Sequence, residues 1–440
     1  MAAAATAVLM AACGGQTPAP APGVAWHRYP VGVASRVEPA IAVIYSSDNI
    51  GPTASLARLG YPDRNLFRLH RDHPQLKVVL TSCPANRYSG GRVLSDSPEA
   101  TATWKTLALD PNFDWIDLAG LGYNHAPPGD SNLNHHEFSV TQSGCNIDHK
   151  TLGEATYCSR QMTLARDAYR TAGIPDDRVV MMRFPGMERS TQALAAAAAA
   201  GFIAVLDTPA GGEPRGEPGR EWWTPLPGGG EILEIPNTNV LKLFAIAKEL
   251  EDGLIAGRIL PAQVTASPEF AAALKRGLAR LREVEAGGGL VNLMDQWSDT
   301  FREVGGARPR YLLIDAALRD IESRYGPRAW YPTSRELTLW LDLLRNGRLT
   351  RQDEGGGTLV KVEPPAGWAR LGLGGLDNAS IRVSLAGAGA SRAVDLKDVL
   401  IKEGERDWRS LEPERWWRQA DDAVVLFALR GPVQLRLKLS

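Results

Sequence analysis

Apolar residues gather in short runs through most of the chain, at 41–45 (IAVIY), 76–80, 115–119, 178–182, 201–206, 231–235 and 289–293. Five or six mainly apolar residues in a row predict a buried strand, because a strand of a parallel sheet is covered on both faces and need not alternate. Between most of these runs lie stretches of helical period, such as 191–200, 266–284 and 311–325. Strands alternating with helices imply βαβ units and parallel pairing. Seven such strands predict an α/β fold, a distorted (β/α)7-type barrel over residues 38–346. A site in such a barrel sits at the C-terminal ends of the strands.

The pattern changes after residue 346. The polar, glycine-rich stretch 351–357 reads as a break, and the runs 358–362, 379–385, 424–429 and 433–439 then alternate apolar with polar positions. They predict a small β-sandwich over residues 352–440. Bracing the barrel is its expected role, with Trp416-Trp417 as the one aromatic pair that offers a sugar platform.

At the other end, residues 2–12 are small and apolar and lead to Cys13 through Val8-Leu9-Met10-Ala11-Ala12. This resembles the lipobox of bacterial lipoproteins, whose cysteine is lipidated. The run is too short to span a bilayer as a helix. The Pro-rich stretch 14–23 reads as a tether, so residues 1–37 are expected to be a lipoprotein signal and linker. Such a chain is exported, to the periplasm or the cell surface, and meets the membrane through its lipid anchor only. Export permits disulfides. Cys145 and Cys158 bracket a polar loop and are the expected pair, which leaves Cys83 as the odd thiol. A net charge of -1 gives no field of one sign for nucleic acid. Protein partners stay unknown at this level.

Polar residues follow the strand ends. They are Ser46-Ser47-Asp48-Asn49, Gly122-Tyr123-Asn124-His125, Arg183-Phe184-Pro185-Gly186 and Met294-Asp295-Gln296-Trp297, with Asn134-His135-His136-Glu137-Phe138 in a polar loop. Four of the seven histidines fall between 125 and 149. One carboxylate and two imidazoles make a three-ligand metal site that leaves positions for water and a substrate oxygen. Asp48, His125 and one of His135 or His136 are the candidates. Neighbours on an extended segment point to opposite sides, so the adjacent histidines would not both bind one ion. The metal would acidify its water and polarise an acetyl carbonyl. The glycine-rich 211–219 lacks a following Lys-Ser/Thr and is no phosphate loop.

The order of these segments resembles the polysaccharide deacetylase family over about residues 38–346. Ser47 and Asp48 match the two aspartates of its first motif, with the metal ligand kept as Asp48 and the base replaced by Ser47. His125, followed by His135 or His136, matches the histidine pair, and Glu137-Phe138 fits a divergent variant of it. Arg183-Phe184-Pro185 matches the third motif, and the segment from Ser190-Thr191 to Phe202 looks like the fourth helix and strand. Leu293-Met294-Asp295 stands where the family has a histidine acid. Residues 330–337 resemble the helix that closes divergent members before a β domain. The resemblance implies a divalent metal, most often zinc, and a hydrolase that removes N- or O-acetyl groups from a polysaccharide substrate at the cell envelope. Glu137 and Asp295 then stand in for the missing base and acid, and Arg183 orients a carboxylate or stabilises an oxyanion. Pairing with Arg183 is the plain alternative for Asp295. Tyr123 and Trp297 would wall a sugar subsite, and Asn237 and Asn239 would reach hydroxyls if they do not simply form a turn. Two other readings compete: a catalytically degenerate barrel that binds glycan, and a glycoside hydrolase with Asp48 facing Glu137 or Asp295 about 5–9 Å away.

Overall fold

The computed structural model of the chain describes residues 22–51, 55–85, 93–126, 137–138, 153–187, 189–206, 219–236, 243–296, 300–354, 357–385 and 396–439. After a short first strand, β1 (Val24–Trp26), come β2 (Ile41–Ile50), β3 (Val78–Ser82), β4 (Ile116–Gly120), β5 (Met181–Met182), β6 (Ala204–Leu206), β7 (Trp222–Pro225), β8 (Glu231–Ile235), β9 (Leu290–Gln296) and β10 (Ala329–Trp330). All seven expected apolar runs contain a strand, two residues of 178–182 and three of 201–206, paired in parallel in the order β9-β2-β3-β4-β5-β6-β8. The two-residue β10 also lies parallel to β2, and β7 closes the far edge antiparallel to β8.

Alternate residues of these strands enter two different cores. Ile41, Val43 and Tyr45 of β2, with Val78 and Leu80 of β3, pack against helices that include Asn65–Asp72, Glu154–Thr171 and Pro309–Tyr325. Ala42 and Ile44, with Val79, Ala119, Ala204 and Leu233, pack on the other face against the helix Ser334–Asn346 and the C-terminal strands. Both faces are therefore covered, which is why the strands could be read as apolar runs.

The sheet is curled. Among the described residues no ladder joins β8 to β9. One backbone bond, from Leu290 N to Gly219 O at 2.8 Å, ties the start of β9 to the segment entering β7. Gly219 has φ +74°, and a Cβ there would lie 2.2 Å from the Val284 carbonyl oxygen, so this junction requires glycine.

The helix Ser334–Asn346 is docked by a charge. Asp117 on β4 accepts hydrogen bonds from Ser334 Oγ and, at 2.9 Å, from the Arg335 backbone N–H. A carboxylate at a helix N-terminus satisfies amides that have no partner within the helix and complements its dipole. Thr333 and Glu336 add a reciprocal capping box.

The C-terminal strands are β11 (Arg348–Glu354), β12 (Gly357–Glu363), β13 (Leu376–Ser384), β14 (Leu396–Glu403), β15 (Arg409–Ser410), β16 (Trp416–Gln419), β17 (Asp422–Leu429) and β18 (Val433–Leu439). They form two antiparallel sheets, β1-β13-β17-β16 and β11-β12-β18-β14-β15. Three expectations change here. The stretch read as a linker does not end at residue 37, because Val24 and Trp26 pair with Val383 and Ile381 of β13, and Tyr29 and Val31 are buried. Trp340 Nε1 also donates to the Arg28 carbonyl at 2.9 Å. The glycine-rich break lies between paired strands, since β11 matches β12 from Arg348↔Glu363 to Glu354↔Gly357, so the sheet starts before residue 352. The Trp416-Trp417 pair is no open platform: Arg36 covers the Trp417 ring at 5.3 Å, and Trp416 Nε1 donates to Leu411 O. Among the described residues, no helix is long and apolar enough to cross a membrane.

Candidate functional site

Asp48 and Arg183 come together, though 135 residues separate them. Asp48 ends the core-facing series of β2, and Arg183 directly follows β5. Three strand spacings part β5 from β2, about 14 Å in a flat sheet. Side chains stand roughly perpendicular to a sheet, so these two meet only because the sheet curls around them. Asp48 Oδ1 accepts from an Arg183 terminal nitrogen and, at 2.5 Å, from Thr81 Oγ1. Arg183 donates its Nε–H to Leu206 O at 2.9 Å and a second terminal N–H to Ser46 Oγ at 3.0 Å. Ser46 Oγ donates in turn to Asn292 Oδ1 at 2.9 Å. All five side chains are buried, Arg183 being 1% exposed and Asp48 6%. Sequence reasoning placed Asp48 and Arg183 but missed Thr81 and Asn292. Their signal was a polar residue at the end of one apolar run and inside another, which has to find a partner when buried.

Glu137 forms a second centre. Its Oε2 accepts from the backbone N–H of Tyr123 at 2.8 Å and of Asn124 at 3.1 Å, in the turn after β4. Its own N–H donates to the His125 carbonyl at 3.1 Å. Gly122 makes the approach possible: at φ +67°, a Cβ there would lie 2.3 Å from Glu137 Oε2. His125 is buried and has φ +65°, a left-handed conformation unusual outside glycine. Glu137 Oε1 is buried and, among the described residues, accepts no hydrogen bond of normal geometry. Burial pushes this carboxyl up to about 8, against the pull of the Asn124, Tyr123 and His125 amides. Burial raises the Cys83 thiol, and the Glu137 and Asp48 carboxylates raise it further, while Sγ donates to the Leu121 carbonyl at 2.6 Å.

Asp295 belongs to neither centre. It shares parity with Val291 and Leu293 on the helix-facing side of β9, where its Oδ2 accepts from Thr300 Oγ1 at 2.8 Å and Arg310 lies 3.8 Å from Oδ1. Ser47, not Asp48, stands opposite Asp295 in the register, so the two aspartates project from opposite faces of the sheet. That removes Asp295 as a partner of Arg183 and removes the Asp48–Asp295 pair a glycoside hydrolase would need. Tyr123 is half-buried beside Glu137. Cys158 is a buried free thiol on the helix Glu154–Thr171, so the expected disulfide is not among the described bonds. Cys13, His135, His136, Cys145, Asn237, Asn239 and Trp297 lie outside the described residues.

The described residues do not fit the expected zinc. Asp48 Oδ1 is already held by a guanidinium and a hydroxyl. A cation on the same oxygen would lie beside that guanidinium, and like unit charges about 4 Å apart repel by about 4 kcal/mol at an effective dielectric near 20. Among the described residues no three His, Cys, Asp or Glu side chains converge as metal ligands.

No family model and no curated protein matches this sequence. Solved structures overlap it loosely. A candidate polysaccharide deacetylase from Mycobacterium smegmatis is 12% identical over 70% of this chain and 92% of its own, at a TM-score of 0.38. A CE4 family pseudoenzyme from Bacillus anthracis is 9% identical over 67% of this chain and 68% of its own, at 0.31. A glycoside hydrolase family 30 xylanase from Clostridium acetobutylicum is 9% identical over 90% of this chain and 98% of its own, at 0.30. Overlap this loose assigns neither family nor activity; the described fold is mixed α/β, a curled parallel sheet joined to antiparallel C-terminal sheets.

Proposed function

We propose that the chain is a hydrolase that removes acyl groups from a polysaccharide at the cell envelope, with Glu137 moving the proton. The geometry of Glu137 carries this reading. Two backbone amides fix one carboxyl oxygen and the other has no hydrogen bond of normal geometry among the described residues, at a strand-end turn of a curled parallel sheet. A buried polar atom without a partner calls for a physical account, and a part in chemistry is one. In the proposed step, Glu137 takes a proton from water as the water oxygen bonds to the acyl carbon. It returns that proton to the sugar oxygen or nitrogen as the bond to the acyl carbon breaks, releasing the acid. Polysaccharide as substrate rests on the sequence resemblance, and the envelope location on the segment ending at Cys13.

The test is acetate release from acetylated polysaccharides by the wild-type chain and by Glu137→Gln, which keeps the shape and removes the base. The variant should lose about 10²–10⁴ of the rate. A variant as fast as wild type would sink the assignment of Glu137. A second reading, glycan binding without hydrolysis, has its own support: Asp48 is committed to Arg183, and a serine, Ser47, stands beside it. Retention of polysaccharide by a wild-type chain that releases no acetate would select it.

A further inference from the structure

We infer that Asp48 is not a metal ligand, and that the Arg183 guanidinium is the permanent cation of this strand-end site. The inference does not depend on whether the chain hydrolyses anything.

Three observations carry it. First, one Asp48 oxygen already accepts from two donors, Arg183 and Thr81, and a cation on the other would still stand beside the same guanidinium. Second, Arg183 cannot step aside. Its Nε–H holds the Leu206 carbonyl on β6 and a terminal N–H holds Ser46 on β2, so swinging away would leave both without their donor. Third, arginine does not lose its proton in proteins, so it cannot yield the site by becoming neutral, as a lysine could. A metal that displaced it would leave a guanidinium 1% exposed with no counter-charge. The pair is also structural. With Thr81, Ser46, Asn292 and Leu206 it ties β2, β3, β6 and β9 to the residue after β5. The cation therefore doubles as the brace that holds the curl of the sheet.

The experiment counts metal. The full chain, stripped with a chelator, is titrated with zinc chloride, and bound zinc is measured after gel filtration. Wild type is compared with Asp48→Asn, whose amide oxygen can still accept from Thr81 and Arg183. The double variant Asp48→Asn/Arg183→Met leaves no buried charge unpaired, so it keeps the test alive if the single variant misfolds. The inference expects the same zinc count in all three, whether zero or held elsewhere, with affinities that agree within about threefold. One zinc per chain in wild type that either folded variant loses, or binds more than about tenfold weaker, overturns it. Acetate release reads the proposed activity separately, so one result can fail without the other.

Discussion

Arg183→Met removes a guanidinium from a carboxylate that is itself only 6% exposed. What remains around Asp48 is the Thr81 hydroxyl, and the buried negative charge is otherwise uncompensated. Breaking one side of a buried pair in this way costs about 3–5 kcal/mol. The Leu206 carbonyl loses its donor as well, worth about 1 kcal/mol more, while Ser46 keeps Asn292. Asp48→Asn strands the opposite charge and should cost a similar amount. The double variant strands neither. Its cost should fall short of the sum of the two singles by more than about 2 kcal/mol, the signature of direct coupling. Domains are commonly stable by about 5–15 kcal/mol, so each single change is severe yet measurable. Urea unfolding followed by tryptophan fluorescence and circular dichroism at pH 7 gives the four corners of the cycle. Single variants that each cost less than about 1 kcal/mol, or a double variant equal to their sum, would refute the buried pair as drawn.

Three further outcomes follow from other parts of the chain. His73 is fully buried, with Nε2 3.0 Å from Asp315 and Nδ1 2.8 Å from Glu322; burial pulls it down, but the two carboxylates outweigh this and raise it above the ordinary histidine value. A raised histidine contributes its full stability below about pH 6.5 and loses it as pH rises through the folded value, so the gap in unfolding free energy between wild type and His73→Gln should shrink from pH 6 upward; a constant gap would count against the clamp. Asp117→Ala should cost about 1–2 kcal/mol and speed amide exchange in the first turn of Ser334–Asn346, because Ser334 and Arg335 lose their acceptor; unchanged exchange there would remove Asp117 as the dock. Cys13→Ser should move the chain from the membrane fraction to the soluble one and abolish labelling by a fatty-acid probe, and a variant still labelled would end the lipid-anchor reading.

The parallel strands were legible because burial on both faces writes itself as an apolar run, and all seven runs contain a strand. The remaining strands were not, and each for a physical reason. β1 is three residues long, too short for any period, and its place comes from β13. β11 reads RLTRQDE, with Leu349 its one fully buried side chain, so β12 rather than its own pattern makes it a strand. At the site, parity was the unused signal. Val291, Leu293 and Asp295 share one side of β9 while Asn292 faces the other, so the series itself separates Asp295 from the Asp48 centre. The Asp48–Arg183 contact had no such signal. It spans 135 residues and depends on the curl of the sheet, a property of the assembled strands and not of any one segment.

A carboxylate takes a proton from water less readily when a cation holds it, and on that count the three acids expected at the strand ends differ. Asp48 gives an oxygen to Arg183 and Thr81, and losing either donor would leave buried charge without a partner. Asp295 gives one oxygen to Thr300 and faces Arg310 on the far side of its strand. Glu137 has one oxygen pinned by two amides and the other with no hydrogen bond of normal geometry among the described residues, and burial pushes the carboxyl up to about 8. The same burial that makes Glu137 a weak anion makes it a usable base, because a group that titrates near the working pH can both accept and return a proton. On the proposed function, the proton-transfer step at this end of the sheet therefore falls to the turn that holds Glu137 and not to Asp48. The Asp48–Arg183 pair is left to keep the strands curled around it.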